Sequence, residues 1–243
     1  MNQSKTVFVV AHRGAPAVAQ ENTRSAFEAA IRFGADFIET DIRRTGDGIL
    51  VLHHDADSQG QPIARWDFPD LREQLRAHNS DLTTFDELLS LARNRIKLDL
   101  ELKEAGYEKQ ILEHLQMAGL LKDDFVITSF LDEARSAVKA LQPELRCGLL
   151  VEDDRDSLSP GYPQRLLQRL QQTHSDFIAA KSTLVSPRFA DHLFTQGYPV
   201  WVWTVDDPEA MKVLLQTPGV QALITNRADL ALEIRSRLPP ERP

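Results

Sequence analysis

Three acidic residues stand at the ends of apolar, strand-like runs. Glu39 and Asp41 lie in the run 37–42, and Glu101 closes the run 96–101. Because Glu39 and Asp41 are two residues apart, their side chains face the same side of a strand. Polar groups are rare inside buried strands unless they are paired or take part in function. Three carboxylates from two strands form a pocket of hard oxygen ligands, which predicts a site for one Mg²⁺ or Ca²⁺ ion rather than for Zn²⁺.

Two cations and two histidines accompany the same strand-like runs. Arg13 follows the first run of the chain, and Lys103 stands two residues beyond the end of 96–101. The guanidinium fork of Arg13 and the ammonium group of Lys103 both suit phosphate oxygens. His12 precedes Arg13, and His54 follows a later run, so the pair can supply a general base and a general acid. A metal ion, two cations and two histidines together describe the cleavage of a phosphoester.

The placement of His54 depends on the turn Thr45-Gly46-Asp47-Gly48, which has no helical pattern on either side. This turn chemistry predicts a hairpin between the two flanking strands. If the turn centres on Gly46-Asp47, paired positions sum to about 93 and Glu39 lies opposite His54. A shift of one residue would place His53 there instead. We favour His54 as the working residue and assign His53 a structural or exposed position.

These residues belong to a longer series of motifs that runs through the chain. In chain order the motifs are His12-Arg13-Gly14, Glu21-Asn22-Thr23, Gly34-Ala35-Asp36 followed by Glu39-x-Asp41, Asp47-Gly48, His54-Asp55, Glu101-x-Lys103, Ser129-Phe130 and Trp203-Thr204-Val205. Their order and spacing resemble the glycerophosphodiester phosphodiesterase family over essentially the whole chain. The resemblance implies a TIM barrel, a divalent cation, and hydrolysis of glycerophosphodiesters to glycerol 3-phosphate and an alcohol.

The resemblance also implies a role for each matching residue. His12 and His54 match the catalytic pair of the family. The other matching residues are the metal ligands Glu39, Asp41 and Glu101, the phosphate contacts Arg13 and Lys103, and the aromatic substrate contacts Phe130 and Trp203. Which histidine is the base is left open. So is the nucleophile, which is either water or the neighbouring glycerol hydroxyl, the latter giving a cyclic phosphate first.

The chain departs from the family pattern around the rim of the expected pocket. Gln20 replaces the usual Pro, and the Arg-x-Thr that commonly follows the His-Asp motif is missing. Asp206 stands where the family has Asn, and Asn226 stands where it has Asp. None of these departures removes a proposed catalytic group. They leave the leaving-group side, and therefore the substrate, open.

Two other functions fit the same scaffold. One is a lyase or a lysophospholipase D that acts on lipid-like diesters, although the short insertion without an obvious amphipathic apolar helix favours small soluble ones. The other is a non-catalytic barrel that binds a phosphorylated metabolite or a partner. That function predicts the loss of histidines or carboxylates, and all of them are present.

The elements that position these residues alternate along the chain. Strand-like runs lie at 7–11, 37–42, 49–53, 96–101, 125–128, 146–150, 177–180, 199–205 and 222–225. Helical patterns lie at 22–33, 84–93, 107–118, 131–141, 163–173, 187–196, 208–216 and 227–238. Such alternation predicts a parallel sheet with crossover helices. Because the hairpin accounts for one of the nine runs, eight units remain, and these fit a (β/α)₈ TIM barrel better than an open doubly wound sheet.

We expect residues 1–243 to form a single barrel domain. The least regular stretch, 56–83, is interpreted as a short insertion over one end of the barrel. Pro239, Pro240 and Pro243 predict a loose tail. The length of 243 residues is that of one α/β barrel.

Composition excludes several classes of protein. An apolar content of 42% is enough for a core and argues against a disordered chain. No run approaches a membrane span, and the first apolar run is too short for a signal peptide, so we expect a cytoplasmic protein with no integral membrane segment. The net charge of −8 argues against a nucleic-acid partner. The family resemblance implies a small-molecule glycerophosphodiester as the substrate. Cys147 is the single cysteine, which excludes an internal disulfide. The oligomeric state is left open.

Overall fold

A computed structural model describes residues 6–153, 159 and 161–239. The strands are β1 (Phe8–His12), β2 (Phe37–Arg44), β3 (Leu50–Leu52), β4 (Asp57–Ser58), β5 (Gln61–Pro62), β6 (Lys97–Leu102), β7 (Phe125–Ser129), β8 (Cys147–Val151), β9 (Phe177–Lys181), β10 (Val200–Trp203) and β11 (Val220–Thr225). The helices are α1 (Arg24–Phe33), α2 (Phe68–Ala77), α3 (Phe85–Ala92), α4 (Glu108–Met117), α5 (Asp132–Leu141), α6 (Tyr162–Gln172), α7 (Pro187–Thr195), α8 (Pro208–Leu214) and α9 (Ala228–Arg237). Short 3₁₀ turns occupy Ile63–Arg65 and Ser182–Leu184.

The parallel strands close into a barrel. Their order around the ring is β1, β2, β6, β7, β8, β9, β10 and β11. The first strand closes the ring because it pairs on both sides, with Val10 opposite Phe37 of β2 and Phe8 opposite Ala222 of β11. This closure excludes the open doubly wound sheet, and the predicted (β/α)₈ TIM barrel is confirmed.

Helix α1 shows how local sequence shapes the elements around the barrel. The side-chain oxygen of Thr23 accepts a hydrogen bond from the backbone N–H of Ala26 and caps the N-terminus. Gly34 ends the helix with a φ of 83°, in the left-handed region that glycine adopts without strain. Ala26, Phe27 and Ala30 form the buried face. The helix therefore covers the barrel wall next to the end of β1.

An aromatic plug, consisting of Phe37, Phe177 and Trp201, fills the amino end of the barrel. The ring centroids of Phe177 and Trp201 lie 4.7 Å apart, and those of Phe37 and Trp201 lie 5.3 Å apart in an edge-to-face arrangement. All three rings are buried. Gly148 of β8 makes room for this packing, since a methyl group at that position would overlap the Phe177 ring. The apolar interior therefore lies at the amino end and leaves the carboxyl end for polar side chains.

The predicted hairpin between β2 and β3 is present, but its register differs from the predicted one. Ile42 lies opposite Leu52, which shifts the pairing by one residue. Glu39 is therefore not opposite His54, and this prediction was wrong. The backbone N–H of His53 donates to the carbonyl of Asp41, 3.0 Å away. His53 therefore pairs near Asp41 and not opposite Glu39, so the alternative register was wrong as well.

The shift has its cause in the turn. The backbone N–H of Thr45 donates to the carbonyl of Ile49, 3.0 Å away, and this pair encloses a loop of three residues. Gly48, the last of them, has a φ of 88°. A three-residue loop that ends in a left-handed glycine moves the pairing by one position relative to a two-residue turn. The prediction assumed the shorter turn.

The segment 56–83 is more regular than the sequence indicates, because it contains the β4–β5 hairpin, a 3₁₀ turn and helix α2. Helix α2 buries Leu71 and Leu75 in a small apolar cluster that also contains Val51 of β3. The carbonyl of Trp66 accepts a hydrogen bond from the N–H of Gly46, 2.7 Å away, in the turn that follows β2. The segment is thereby fixed beside the carboxyl end of that strand.

None of the helices between residues 6 and 239 that the structure describes is long and apolar enough to cross a membrane. Of the predicted tail, Pro239 is described, and Pro240 and Pro243 lie outside the described residues.

The packing of the aromatic plug gives a stability prediction. We expect Gly148→Ala to lower the free energy of unfolding by about 1–3 kcal/mol, because the added methyl group overpacks a core without free space. Urea unfolding followed by circular dichroism measures the change. Combining it with Phe177→Leu should cost less than the sum of the two single changes, since the smaller side chain vacates the space. Additive losses would contradict this packing argument.

Candidate active site

Polar side chains collect at the carboxyl end of the barrel, opposite the aromatic plug. They surround a cavity of about 360 Å³. The site residues predicted from the sequence that line it are His12, Arg13, Glu39, His54, Glu101, Lys103, Phe130 and Trp203. Asp41, the remaining predicted site residue, is buried beside the cavity in a cluster with Glu39 and Glu101. The closed barrel therefore brings the whole predicted set to one end of the molecule.

The acidic cluster consists of Glu39, Asp41 and Glu101. One carboxylate oxygen from each lies within 4.8 Å of the other two, and all three residues are buried. The strand register explains the cluster, since Asp41 of β2 lies directly opposite Glu101 of β6. Glu39 reaches the same face because it is two residues before Asp41 on the same strand.

Two cations surround the acidic cluster. Lys103 Nζ lies 2.8 Å from Glu101 Oε1 and 3.2 Å from Asp41 Oδ1. Arg13 Nε lies 3.2 Å from Asp41 Oδ2. With all three carboxyl groups ionised, they and the two cations would leave one negative charge in excess at this buried cluster. The cluster is therefore electrostatically incomplete on its own residues.

Burial and the neighbouring charges shift the pKa values of the three carboxyl groups. Burial, followed by the charge of Asp41, raises the pKa of Glu39 well above its ordinary value. The same two causes raise the pKa of Glu101 to about 7. Burial alone would raise the pKa of Asp41 as well, but Lys103 and Arg13 hold it below its usual value. A further positive charge at the cluster would favour the ionised form of all three groups.

The donor set fits a divalent cation. All three donors are carboxylate oxygens, the ligands that Mg²⁺ and Ca²⁺ take in proteins. Asp41 Oδ1 is buried, and Lys103 Nζ lies 3.2 Å from it. Buried carboxylates are stable only where cations or hydrogen-bond donors contact them. Glu39, Asp41 and Glu101 are thus the residues suited to hold the ion.

The end of β1 and the loop that follows it place His12 and Arg13 beside this cluster. The backbone N–H of Arg13 donates to Glu39 Oε2 at 3.0 Å, and His12 Nε2 lies 3.8 Å from the same oxygen. Gly14 has a φ of 89°, and a Cβ there would lie 2.7 Å from the backbone carbon of Ala26. The glycine therefore permits the close approach of this loop to α1.

The two histidines have different surroundings. Burial, and then the charge of Arg13, lowers the pKa of His12, and its Nδ1 lies 2.8 Å from Asn226 Oδ1. His54 is more exposed, and its Nδ1 lies 2.8 Å from Asp55 Oδ1. Both rings therefore have an oxygen acceptor at Nδ1, which leaves Nε2 as the atom available for proton transfer.

Phe130 and Trp203 form an aromatic wall of the cavity. The rings of Phe130 and Trp203 meet at 90° with centroids 5.8 Å apart. Trp203 Nε1 donates to the carbonyl of Ala179 at 2.9 Å, and Arg169 donates to the carbonyl of Phe130 at 2.7 Å. The wall is therefore held by hydrogen bonds as well as by packing.

The sequence pattern that defines the glycerophosphoryl diester phosphodiesterase family matches residues 12–230, which include every side chain described above. The chain belongs to this family. The resemblance drawn from the sequence motifs is thereby confirmed, and the chain is an enzyme of the phosphodiesterase type.

Relatives of known name and structure agree with this family membership. The glycerophosphodiester phosphodiesterase of Caldanaerobacter subterraneus subsp. tengcongensis is 24% identical over 248 residues, which cover 93% of this chain and 97% of that protein. The crystal structure of glycerophosphodiester phosphodiesterase from Thermotoga maritima superposes with a TM-score of 0.79 at 22% identity and covers 96% of this chain and all of the other. The structure of a phosphodiesterase of Oleispira antarctica in complex with the product sn-glycerol-3-phosphate superposes with a TM-score of 0.80 at 22% identity. The match covers 94% of this chain and 96% of that one. The solved structures show that the fold is shared.

Asn22 is a family-motif residue to which the sequence argument gave no role in the site. It is buried, its Nδ2 donates to Asp41 Oδ2 at 2.9 Å, and its Oδ1 accepts from Thr40 Oγ1 at 2.7 Å. Its φ of 55° lies in the left-handed region, where asparagine is among the few tolerated residues. An asparagine next to a helix cap is ordinary in sequence, so only its place in the motif could have drawn attention to it.

Asp99 is a second residue that the sequence argument passed over. It is buried on β6, lines the cavity, and accepts a hydrogen bond from Thr128 Oγ1 at 2.8 Å. Burial raises the pKa of Asp99 to about 7. Asp99 stands two residues before Glu101, so both side chains lie on one face of the strand. This spacing in the sequence could have identified Asp99 as a site residue.

The contact of Asn22 with Asp41 gives a prediction about metal affinity. We expect Asn22→Ala to weaken binding of Mg²⁺ or Ca²⁺ by about 10- to 100-fold, because residues that orient metal ligands typically contribute that much. Isothermal titration calorimetry of the purified protein measures the affinity without an activity assay. Asn79→Ala is the matched control, since Asn79 also has a left-handed backbone (φ 57°) but is exposed. Equal affinities for both variants would contradict the assignment.

Proposed function

We propose that this enzyme hydrolyses glycerophosphodiesters to sn-glycerol 3-phosphate and an alcohol, with one Mg²⁺ or Ca²⁺ ion held by Glu39, Asp41 and Glu101. The observation that carries the proposal is the meeting of these carboxylates with two cations and two histidines at one cavity. The names of the curated relatives and the product complex of the Oleispira antarctica protein support the same chemistry.

Phosphate binding is assigned to Arg13 and Lys103. Each places a nitrogen 3.2 Å from an oxygen of Asp41, so both cations are held in place before substrate arrives. Their side chains stay 16% and 12% exposed, which leaves them accessible to a phosphate from the cavity. A bound divalent cation supplies a Lewis acid that polarises a phosphoryl oxygen. Fixed positive charge around the phosphate stabilises the charge that develops as the ester bond breaks.

Proton transfer is assigned to His12 and His54. One ring removes a proton from the attacking hydroxyl, and the other donates a proton to the oxygen of the departing alcohol. With water as the nucleophile the products are glycerol 3-phosphate and the alcohol directly. With the neighbouring glycerol hydroxyl as the nucleophile, a cyclic phosphate forms first and a second proton transfer opens it with water. Both routes use the same two rings.

The size and walls of the cavity favour small diesters. A volume of about 360 Å³ is at the lower end of small-ligand sites. Phe130 and Trp203 offer an apolar wall for the carbon chain of glycerol. Helix α2 buries Leu71 and Leu75 in the apolar cluster with Val51, so these two side chains are not free to contact a lipid chain.

The assay that tests the proposed function follows product release. Purified protein with Mg²⁺ or Ca²⁺ is incubated with glycerophosphocholine, glycerophosphoethanolamine, glycerophosphoglycerol and lysophosphatidylcholine. We expect glycerol 3-phosphate from the first three and far less cleavage of the last. Chelation with EDTA should abolish turnover, and either ion should restore it. Turnover that is indifferent to EDTA would contradict the metal assignment, and preference for lysophosphatidylcholine would support a lipid-directed phosphodiesterase instead.

Substitution of the histidines tests the proton-transfer assignment. His12→Ala and His54→Ala should each lower kcat by about 10²- to 10⁴-fold, the usual contribution of a general acid or base. His53→Ala is the matched control, because the contact of His53 with Asp41 uses its backbone N–H, which alanine retains. Circular dichroism should be the same for all three variants. A normal kcat for either His12→Ala or His54→Ala would remove that residue from the mechanism.

A further inference from the structure

A chain of hydrogen bonds runs from the cavity to the surface behind His12. His12 Nδ1 lies 2.8 Å from Asn226 Oδ1, at the end of β11. Asn226 Nδ2 lies 2.7 Å from Asp206 Oδ2, in the loop after β10. Asp206 Oδ1 accepts two more hydrogen bonds, from the backbone N–H of Asn226 at 2.8 Å and from Thr225 Oγ1 at 2.9 Å.

The carboxylate at the outer end determines which way the amide of Asn226 faces. An ionised carboxylate only accepts hydrogen bonds, whereas the asparagine amide has one accepting oxygen and one donating nitrogen. Because Asp206 can pair only with the nitrogen, Asn226 Nδ2 must face it. The oxygen of the same amide must then face His12.

The direction of that oxygen determines the proton position on the His12 ring. An amide oxygen only accepts, so His12 Nδ1 must carry the proton that it receives. In the neutral ring the lone pair is then on Nε2, which lies on the side of the acidic cluster, 3.8 Å from Glu39 Oε2. The side chain of Asp206 thus determines, through Asn226, which ring nitrogen of His12 carries the proton.

We propose that Asp206 is a positioning residue for His12. Asp206 acts through Asn226 and so presents the Nε2 lone pair of the neutral His12 ring to the cavity. The inference rests on the proposed role of His12 in proton transfer. Asp206 is exposed, so water screens its charge, and its influence reaches His12 through hydrogen-bond direction.

Asp206 has no role as a helix cap that would explain these contacts. Asp207 caps α8 instead, since its side chain accepts from the backbone N–H of Ala210 at 2.8 Å. The hydrogen bonds that Asp206 accepts from Thr225 and Asn226 also join the ends of β10 and β11. A test must therefore separate positioning of His12 from a structural effect on these two strand ends.

Asp206→Asn is the decisive single substitution. The new amide can keep its oxygen on the backbone N–H of Asn226 and on Thr225, which places its nitrogen against Asn226 Nδ2. Two donors cannot pair, so the Asn226 amide turns over and presents a donor to His12 Nδ1. We expect the ring proton to move to Nε2, kcat to fall by about 10- to 100-fold, and KM to stay near its original value. Nitrogen-15 shifts of the His12 ring report the proton position directly.

The exchange of the two residues provides the rescue. Asn226→Asp alone puts two carboxylates side by side and should also lower kcat. In the double variant Asp206→Asn/Asn226→Asp, the amide nitrogen at 206 donates to the carboxylate at 226, which accepts from His12 Nδ1 as the native amide does. We expect the double variant to recover most of the lost kcat and the native ring tautomer. Failure of the exchange to improve on both single variants would overturn the proposal.

Two further measurements keep the result specific. Asp207→Asn removes a neighbouring charge while keeping a good helix cap, and we expect native kcat. In a His12→Ala background, Asp206→Asn should cost nothing more, because there is no ring left to orient. A further tenfold loss there would show that Asp206 acts elsewhere and would overturn the proposal. Native activity of His12→Ala alone would instead overturn the proposed role of His12, independently of the tautomer that Asp206 sets.

Discussion

Three carboxylates that share a buried site repel one another, and the arrangement around them is a response to that repulsion. The register of β2 against β6 places Asp41 directly opposite Glu101, so separation of the charges along the strands is impossible. Lys103 and Arg13 offset two of the three charges at contact distance. Burial, and then the charge of Asp41, raises the pKa of Glu101 to about 7 although Lys103 lies beside it.

The fold separates the part that provides stability from the part that provides chemistry. The aromatic plug of Phe37, Phe177 and Trp201 fills the amino end, where no polar group is needed. The carboxyl end carries charged groups whose burial is unfavourable and whose orientation depends on hydrogen bonds from loops. Asn22 on Asp41 is one such contact, and the backbone N–H of Arg13 on Glu39 is another. Both come from the loop between β1 and α1.

The acidic cluster and the barrel could be predicted from the sequence because both depend on short-range periodicity. Two-residue spacing places Glu39 and Asp41 on one face whatever the tertiary structure. The hairpin register could not be obtained this way, since two- and three-residue loops are both compatible with the same turn residues, and the difference is that Gly48 takes a left-handed φ. Helix α2 was missed because its core contacts rest on only Leu71 and Leu75.

Contacts across the ring closure were beyond sequence reasoning for a different reason. Asp206 and Asn226 are visible in the sequence as departures from the family pattern, but no periodicity connects them to His12. The contact of Asn226 with His12 depends on β11 lying beside β1, which only the closed barrel establishes. The partners of a catalytic side chain are therefore the least predictable part of the site, even where the side chain itself is evident.

The contact between His12 and Asn226 joins positions 214 residues apart in the chain. The acidic cluster, in contrast, needs only β2 and β6, which are complete by residue 102. A chain shortened before β11 would keep all three residues of the acidic cluster but would lack Asn226, the partner of the His12 ring.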